Sequence, residues 1–116
     1  MRQLFHRGKF TIVASAALYC FCLPPMAAAM EARVVDDQLI LSGEVVDSDV
    51  VRGKNALENP AITTVILRNS PGGDSPTGYR SGELIRQHGL RTAVSGFCYS
   101  SCSRLFLGGR TRSGER

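Results

Sequence analysis

Two short stretches of the sequence contain residues whose types and spacing could perform acyl-transfer chemistry. The first, "NSPGGD", spans residues 69–74, and the second, "VSGFCYSSCSRLFLGG", spans residues 94–109. Consecutive glycines let a backbone turn tightly and direct its N–H groups at a ligand, and a helix that follows favours a developing negative charge. A serine in a sharp strand-to-helix turn exposes its hydroxyl beside the next amide, which suits a nucleophile.

Each stretch also has a simpler structural interpretation. The glycine-rich stretch could be an ordinary turn between a strand and a helix, and Ser100 and Ser101 could be N-cap residues, a common place for serine. Cys98 and Cys102 bracket the serines at a spacing of i,i+4. That spacing across the start of a helix puts the two Cα atoms about 6 Å apart, so we predict a disulfide between them.

The elements that would position these stretches alternate between strand and helix. Apolar and β-branched runs predict strands at residues 38–46, 61–69 and 90–96, and helical patterns with start and stop signals fall at residues 47–60, 79–89 and 100–109. The near-continuous apolar run of the second strand predicts burial on both of its faces. This order is typical of βαβ units on a parallel sheet, whose working loops follow the carboxyl ends of the strands.

Together, the two stretches resemble the Clp protease proteolytic subunit and its signal peptide peptidase relatives. The resemblance rests on the SPGG loop after a buried strand, and on a G-x-x-x-S turn that leads into an apolar helix ending in two glycines. It extends over about residues 38–112 and is strongest to the secreted branch of this superfamily, which is known as predicted periplasmic proteins.

The resemblance implies an α/β fold, namely a ClpP/crotonase-like ββα superhelix with a parallel sheet, here incomplete. It implies peptide-bond hydrolysis through an acyl-enzyme. When the glycine of the family motif is aligned with Gly96, the nucleophile falls on Ser100. The oxyanion-hole donors then fall on the backbone amides of Gly72, Gly73 and Ser101, and the disulfide would hold the serine turn in shape.

The general base that the family supplies is missing from this sequence. In the Clp pattern a histidine and an aspartate follow the serine, but the 16 residues after Ser100 contain no His, Asp or Lys. Of the residues that precede it, His88 is predicted to be a solvated helix end, and Lys54 has no register that would bring it to Ser100. We therefore expect half of an active site, on a chain truncated relative to the family and inactive or nearly so as a peptidase.

The first 29 residues have the pattern of a secretory signal peptide. Three basic residues precede an uncharged apolar run, and small residues stand at Ala27 and Ala29. We predict cleavage near Ala29 and a periplasmic or secreted protein. The alternative is an uncleaved membrane anchor, although Pro24 and Pro25 interrupt the apolar run. The predicted division is a signal peptide at 1–29, a partial ClpP/crotonase-like domain at 30–112 and a polar tail at 113–116.

The charge and cysteine content exclude several classes of function. The whole chain has a formal net charge of +4, but residues 30–116 hold 11 basic and 10 acidic residues, a net charge of +1. This gives no argument for nucleic-acid binding. Only two cysteines follow the leader and no histidine stands near them, so we expect no zinc site, no other metal and no cofactor.

Three functions remain as hypotheses from the sequence. The first is a secreted serine peptidase-like domain with a peptide or protein substrate, with a homo-oligomer as a compatible state. The second is a non-catalytic relative that keeps the fold for binding or assembly. The third is an acyl-CoA-handling crotonase relative, which is disfavoured because a secreted protein has little access to CoA and the SPGG loop is of the peptidase type.

Overall fold

Five strands form one sheet in a computed structural model that describes residues 29–114. The strands follow one another in the sheet in chain order, with β1 antiparallel to β2 and the remaining neighbours parallel. In chain order the elements are β1 (Glu31–Val35), β2 (Gln38–Val45), α1 (Asp49–Leu57), β3 (Thr64–Gly73), α2 (Ser75–Gln87), β4 (Arg91–Cys98), α3 (Cys102–Leu107) and β5 (Arg112–Gly114). The predicted signal peptide, apart from Ala29, lies outside the described residues.

The predicted α/β class with a parallel sheet is confirmed, but several element boundaries differ from the prediction, and the strand β1 was not predicted. The helix α2 begins at Ser75, not at residue 79, because Asp74 caps it by accepting a hydrogen bond from the Thr77 N–H and a proline occupies its first turn. An Asp N-cap followed by proline is a helix-start signal, and it outweighs the turn tendency of the "DSPTG" segment.

The segment predicted as a polar tail, residues 113–116, begins with two residues of a strand. Ser113 and Gly114 belong to β5, where they pair in parallel with Ala93 and Val94 of β4. The Thr92 N–H also donates to the Thr111 carbonyl over 2.9 Å, just before this strand. Backbone pairing with a neighbouring strand depends little on side-chain hydrophobicity, which explains why a polar segment can form an edge strand.

The core lies between one face of the sheet and the three helices. Leu39, Val65 and Thr92 stand in one row across β2, β3 and β4, and each is at most 1% exposed. The next row on the opposite face includes Ile40 and Ile66, which are only partly buried. The predicted burial of β3 on both faces is therefore not observed, because the three helices contact the same face. The buried apolar residues are Met30, Leu39, Val45, Leu57, Ile62, Val65, Leu67, Ile85, Leu90, Cys102 and Leu105.

Three neighbouring strands each contain a residue with positive φ at the same level of the sheet. These residues are Gly43 in β2, Asn69 in β3 and Gly96 in β4, and the strand pairing shifts register at each of them. A Cβ on Gly96 would lie 1.9 Å from the Asn69 Oδ1 atom, so only glycine fits there. The Ser70 hydroxyl donates to the Gly43 carbonyl over 2.7 Å and ties two of the strands together at this level. Beyond it the pairing resumes in a shifted register, with Glu44 opposite Gly72 and Ser70 opposite Cys98.

Candidate functional site

The glycine loop (residues 70–74, at the end of β3) and the serine turn (residues 99–101, after β4) are in direct backbone contact. The Tyr99 N–H donates to the Ser70 carbonyl over 2.9 Å. A Cβ on Gly72 would lie 2.7 Å from the Ser100 Cβ and 2.9 Å from the Ser101 nitrogen. Any side chain at Gly72 would therefore push the two loops apart. The structure brings together all four residues that the sequence assigned to the nucleophile and the oxyanion hole, since Gly73 directly follows Gly72.

The two adjacent serines have different environments. Ser100 has a φ of +51°, which is uncommon for a residue with a side chain, and it is exposed. Ser101 is 3% exposed, and its Cβ lies against Gly78 of α2. Its hydroxyl has no hydrogen-bond partner among residues 29–114. A strained and exposed serine between a strand and a helix has the geometry of a nucleophile, whereas Ser101 is a packing residue.

The backbone amides around Ser100 are not equally free to bind an oxyanion. The Gly72 N–H donates to the Ser70 hydroxyl over 3.3 Å. The Asp74 N–H donates to the Val45 carbonyl of β2 over 2.9 Å. Because successive N–H groups of an extended strand point to opposite sides, the Gly73 N–H points away from β2. The Ser101 N–H has no acceptor in the part of the chain that the structure describes. Gly73 and Ser101 are therefore better placed as donors than Gly72.

The first turn of α2 adds a favourable field next to the glycine loop. This helix has 13 residues, and its N-terminus directly follows Gly73, so its dipole favours negative charge at that point. The pKa of the Asp74 carboxyl is lowered, first by the hydrogen bond from the Thr77 hydroxyl and then by the one from the Thr77 N–H; desolvation opposes this shift, and the charge of Arg80 adds the least to it. Asp74 therefore remains ionised, with its lone pairs engaged by Thr77, and is a poor base for Ser100.

No described side chain is placed to take the proton from Ser100. Its hydroxyl has no hydrogen-bond partner within residues 29–114. His88 caps the far end of α2, where its Nδ1 lies 2.8 Å from the Leu84 carbonyl oxygen. A helix of this length separates His88 from the glycine loop by about 20 Å. The prediction that His88 is a solvated helix end is therefore confirmed. Lys54 is exposed on α1 and makes no hydrogen bond to the serine turn.

The sulfur atoms of Cys98 and Cys102 are 2.08 Å apart, which is a disulfide, and the two Cα atoms are 5.3 Å apart. The bond joins the last residue of β4 to the first residue of α3 and so encloses the serine turn. Cys102 is fully buried in the core. The disulfide therefore fixes the relative position of the strand and the helix on either side of Ser100.

We expect mass spectrometry of the unreduced protein after alkylation to find both Cys98 and Cys102 unmodified. Because the closed loop is so short, reduction is expected to lower the free energy of unfolding by only about 2 kcal/mol or less. Urea unfolding with and without a reductant measures this difference. Two alkylated thiols in the unreduced protein would contradict the prediction.

An apolar cavity in the core is separate from this site. It has a volume of about 40 Å³ and lies between α1, α2 and β2. None of its lining residues belongs to the glycine loop or the serine turn.

Within residues 29–114, no group of three or more His, Cys, Asp or Glu side chains has an arrangement that could hold a metal ion. No helix in the same range is long and apolar enough to cross a membrane.

Comparison with solved structures finds similarity to a protein from Streptomyces coelicolor A3(2) that is assigned as an enoyl-CoA hydratase. The TM-score is 0.51 and the sequence identity is 11%. The match covers 80% of this chain and 47% of that one, so this chain spans about half the length of the matched structure. No protein-family model and no curated protein matches the chain. At this identity the similarity establishes the fold alone, and residues 29–114 form part of a ClpP/crotonase-like α/β fold.

Proposed function

We propose that this chain carries the nucleophile and the oxyanion hole of a secreted serine peptidase-like enzyme that acts through an acyl-enzyme. The observation that carries the proposal is the exposed, positive-φ Ser100 in backbone contact with Gly72 and next to the free Ser101 N–H. A substrate carbonyl over Ser100 would place its developing oxyanion between the Gly73 and Ser101 amides. Removing one such donor typically costs about 10²–10³ in rate, so the pair is a large part of the catalytic machinery.

The reaction assigned to Ser100 is acyl transfer. The Ser100 oxygen attacks the peptide carbonyl, the C–N bond breaks as the amine leaves with a proton, and water then releases the acyl group and restores the hydroxyl. Because no described residue accepts the Ser100 proton, the chain by itself is expected to hydrolyse peptides very slowly. Loss of a triad member costs several orders of magnitude in rate.

The test is reaction with a small alkyl fluorophosphonate, which phosphonylates an activated serine and releases fluoride. We expect mass spectrometry of the digested protein to find the adduct on Ser100. Acyl-CoA binding, measured in parallel by calorimetry, separates the peptidase from an acyl-CoA-handling crotonase relative. The fold alone is compatible with both a peptidase and an acyl-CoA-handling protein, whereas the SPGG loop and the serine turn favour the peptidase. Adducts spread evenly over the surface serines would reject the proposal.

A second candidate function is non-catalytic binding or assembly on the same fold. The observation in its favour is the absence of any hydrogen-bond partner for the Ser100 hydroxyl among the described residues. In that case the serine turn would keep its shape but show no selective reaction with the fluorophosphonate. The same labelling experiment therefore decides between the two candidates.

The proposed compartment is the periplasm or the exterior, reached through the leader at residues 1–29. Met30 is 3% exposed and belongs to the core, and cleavage near Ala29 would keep this residue in the mature chain. N-terminal sequencing of the exported protein is expected to begin at or near Met30. Protein that retains Met1 and remains in the membrane fraction would instead indicate an uncleaved anchor.

A further inference from the structure

Two large aromatic side chains lie on the surface immediately before Ser100. Phe97 is 39% exposed and Tyr99 is 63% exposed. Their rings stack with centroids 5.1 Å apart and an interplanar angle of 20°. Exposed aromatic pairs are costly to leave in water and are enriched where proteins bind partners. Neither residue belongs to the predicted nucleophile, oxyanion hole or disulfide.

The backbone that carries the aromatic pair is held by the same contacts that hold the serine turn. The Phe97 N–H donates to the Asn69 Oδ1 atom over 3.4 Å, and the Tyr99 N–H donates to the Ser70 carbonyl over 2.9 Å. Between them, Cys98 is fixed by the disulfide to the core. A preorganised surface loses little conformational entropy when a ligand binds, so the rings can contribute most of their contact energy.

The position of the pair defines which part of a substrate it would meet. Tyr99 directly precedes Ser100, so their Cα atoms are about 3.8 Å apart. An extended peptide advances about 3.3–3.6 Å per residue, so a residue within one or two positions of the scissile bond reaches the rings. The pair therefore lies where a peptidase determines its specificity.

We infer that the stacked rings of Phe97 and Tyr99 bind an aromatic side chain of an extended peptide next to the bond that Ser100 attacks. This inference rests on the proposed peptidase function. Both rings are more than a third exposed, and a third ring can stack on an exposed ring face with the same offset geometry. A cationic side chain is the competing ligand, because cations also bind to the faces of aromatic rings. The chain contains one such contact elsewhere, where the Arg104 guanidinium lies 4.6 Å from the ring centroid of Tyr79. A cationic ligand is disfavoured because Arg68, in register with Ser95 of β4, places a positive charge on the adjacent strand.

The experiment uses the absence of tryptophan from the chain. In blocked tetrapeptide amides with a single tryptophan, the tryptophan fluorescence comes from the peptide alone. The peptide is titrated with the wild-type chain and with Ser100→Ala, which cannot cleave it. We expect both to bind it and to raise its anisotropy. Phe97→Leu with Tyr99→Leu is expected to weaken binding by at least about fivefold, the order expected for a lost aromatic pair. The matched control, Tyr79→Leu, removes an exposed tyrosine elsewhere and should leave the Kd unchanged.

Competing peptides with leucine or arginine in place of tryptophan test the chemistry of the ligand. We expect both to compete at least about fivefold less well. Equal competition by the arginine peptide, equal binding by the double variant, or no binding at millimolar peptide would each overturn the inference. Circular dichroism and the urea midpoint verify that the variants fold.

The inference can fail separately from the proposed function. Fluorophosphonate labelling of Ser100 in the double variant reports on the nucleophile, because the small probe does not need the rings. Retained labelling without any difference in peptide binding rejects the aromatic site alone. Aromatic binding without labelling rejects the peptidase and leaves a peptide-binding surface.

Discussion

Replacing Ser100 by alanine is expected to remove the selective fluorophosphonate adduct and leave only the background from other surface serines. The reason is that Ser100 is the exposed serine next to the Gly73 and Ser101 amides, which stabilise the charge that develops on the phosphonyl oxygen. One donor of this kind is worth about 10²–10³ in rate. The rate at Ser100 should therefore exceed that of ordinary surface serines by about two orders of magnitude. Time-resolved mass spectrometry of the wild-type chain and the variant measures this ratio.

Ser101→Ala is the matched control for this prediction. It removes a buried hydroxyl that has no partner among residues 29–114 but keeps the backbone N–H. Labelling of Ser100 should therefore persist, and stability should change little or increase, because an unpaired buried hydroxyl is unfavourable. If labelling survives Ser100→Ala and disappears with Ser101→Ala, the nucleophile is Ser101 and not Ser100.

The pH dependence of labelling tests whether a base assists Ser100. Without a side-chain base, solvent hydroxide must remove the proton, so the logarithm of the rate should rise steadily with pH. With a histidine base, the labelling rate would instead reach a plateau above the pKa of the imidazole, about 6.5 when unperturbed. A plateau that disappears with His88→Gln would show that His88 acts as the base for Ser100.

The order of elements could be predicted from local patterns, because the apolar runs of β2, β3 and β4 are bounded by clear turn and cap residues. The helical pattern at residues 79–89 ends on a glycine, which is a helix stop signal. In the structure this residue, Gly89, has a φ of +64° just past the end of α2. Signals of this kind act over a few residues and need no knowledge of the tertiary fold.

The shift in strand register could not be predicted in this way. Gly43, Asn69 and Gly96 adopt positive φ at one level of the sheet, where the pairing of three neighbouring strands changes register. The apolar pattern predicts a strand that ends at Asn69, whereas β3 continues past this level to Gly73. The strand β1 was missed for a related reason, since all five of its residues are exposed and its pairing with β2 supplies the order.

The candidate site shows the same division between local and tertiary information. The family resemblance identified the serine turn and the glycine loop, and the chemistry of both could be argued from their residue types. Which serine is accessible depends on Gly78, which lies against Ser101 from another helix. Which glycine amide is free depends on Ser70 and on β2. No local pattern contains these contacts.

Replacing Gly82 by alanine is expected to lower the free energy of unfolding by about 1–3 kcal/mol, the usual cost of overpacking. Gly82 lies in α2 against the backbone of α3, and a Cβ there would be 2.3 Å from the Arg104 carbonyl oxygen. Gly108 meets the Gly82 backbone just as closely from the other helix. Because the obstructing atoms are backbone, the helices must separate, and this cost exceeds the gain in helix propensity, about 1 kcal/mol for Gly→Ala.

Gly53→Ala is the matched control, since Gly53 is also helical but has no atom within 4 Å of the position of a Cβ. We expect this variant to be more stable by about 0.5–1 kcal/mol, from the lower backbone entropy of the unfolded chain. Urea unfolding of the two variants should therefore show changes of opposite sign. Because the serine turn leads directly into α3, a shift of this helix also displaces Ser100. Gly82→Ala should therefore slow the labelling of Ser100, whereas Gly53→Ala should not. Equal stabilisation by both substitutions would mean that α2 and α3 can separate at no cost, and the close packing of the two helices would then not hold the turn in place.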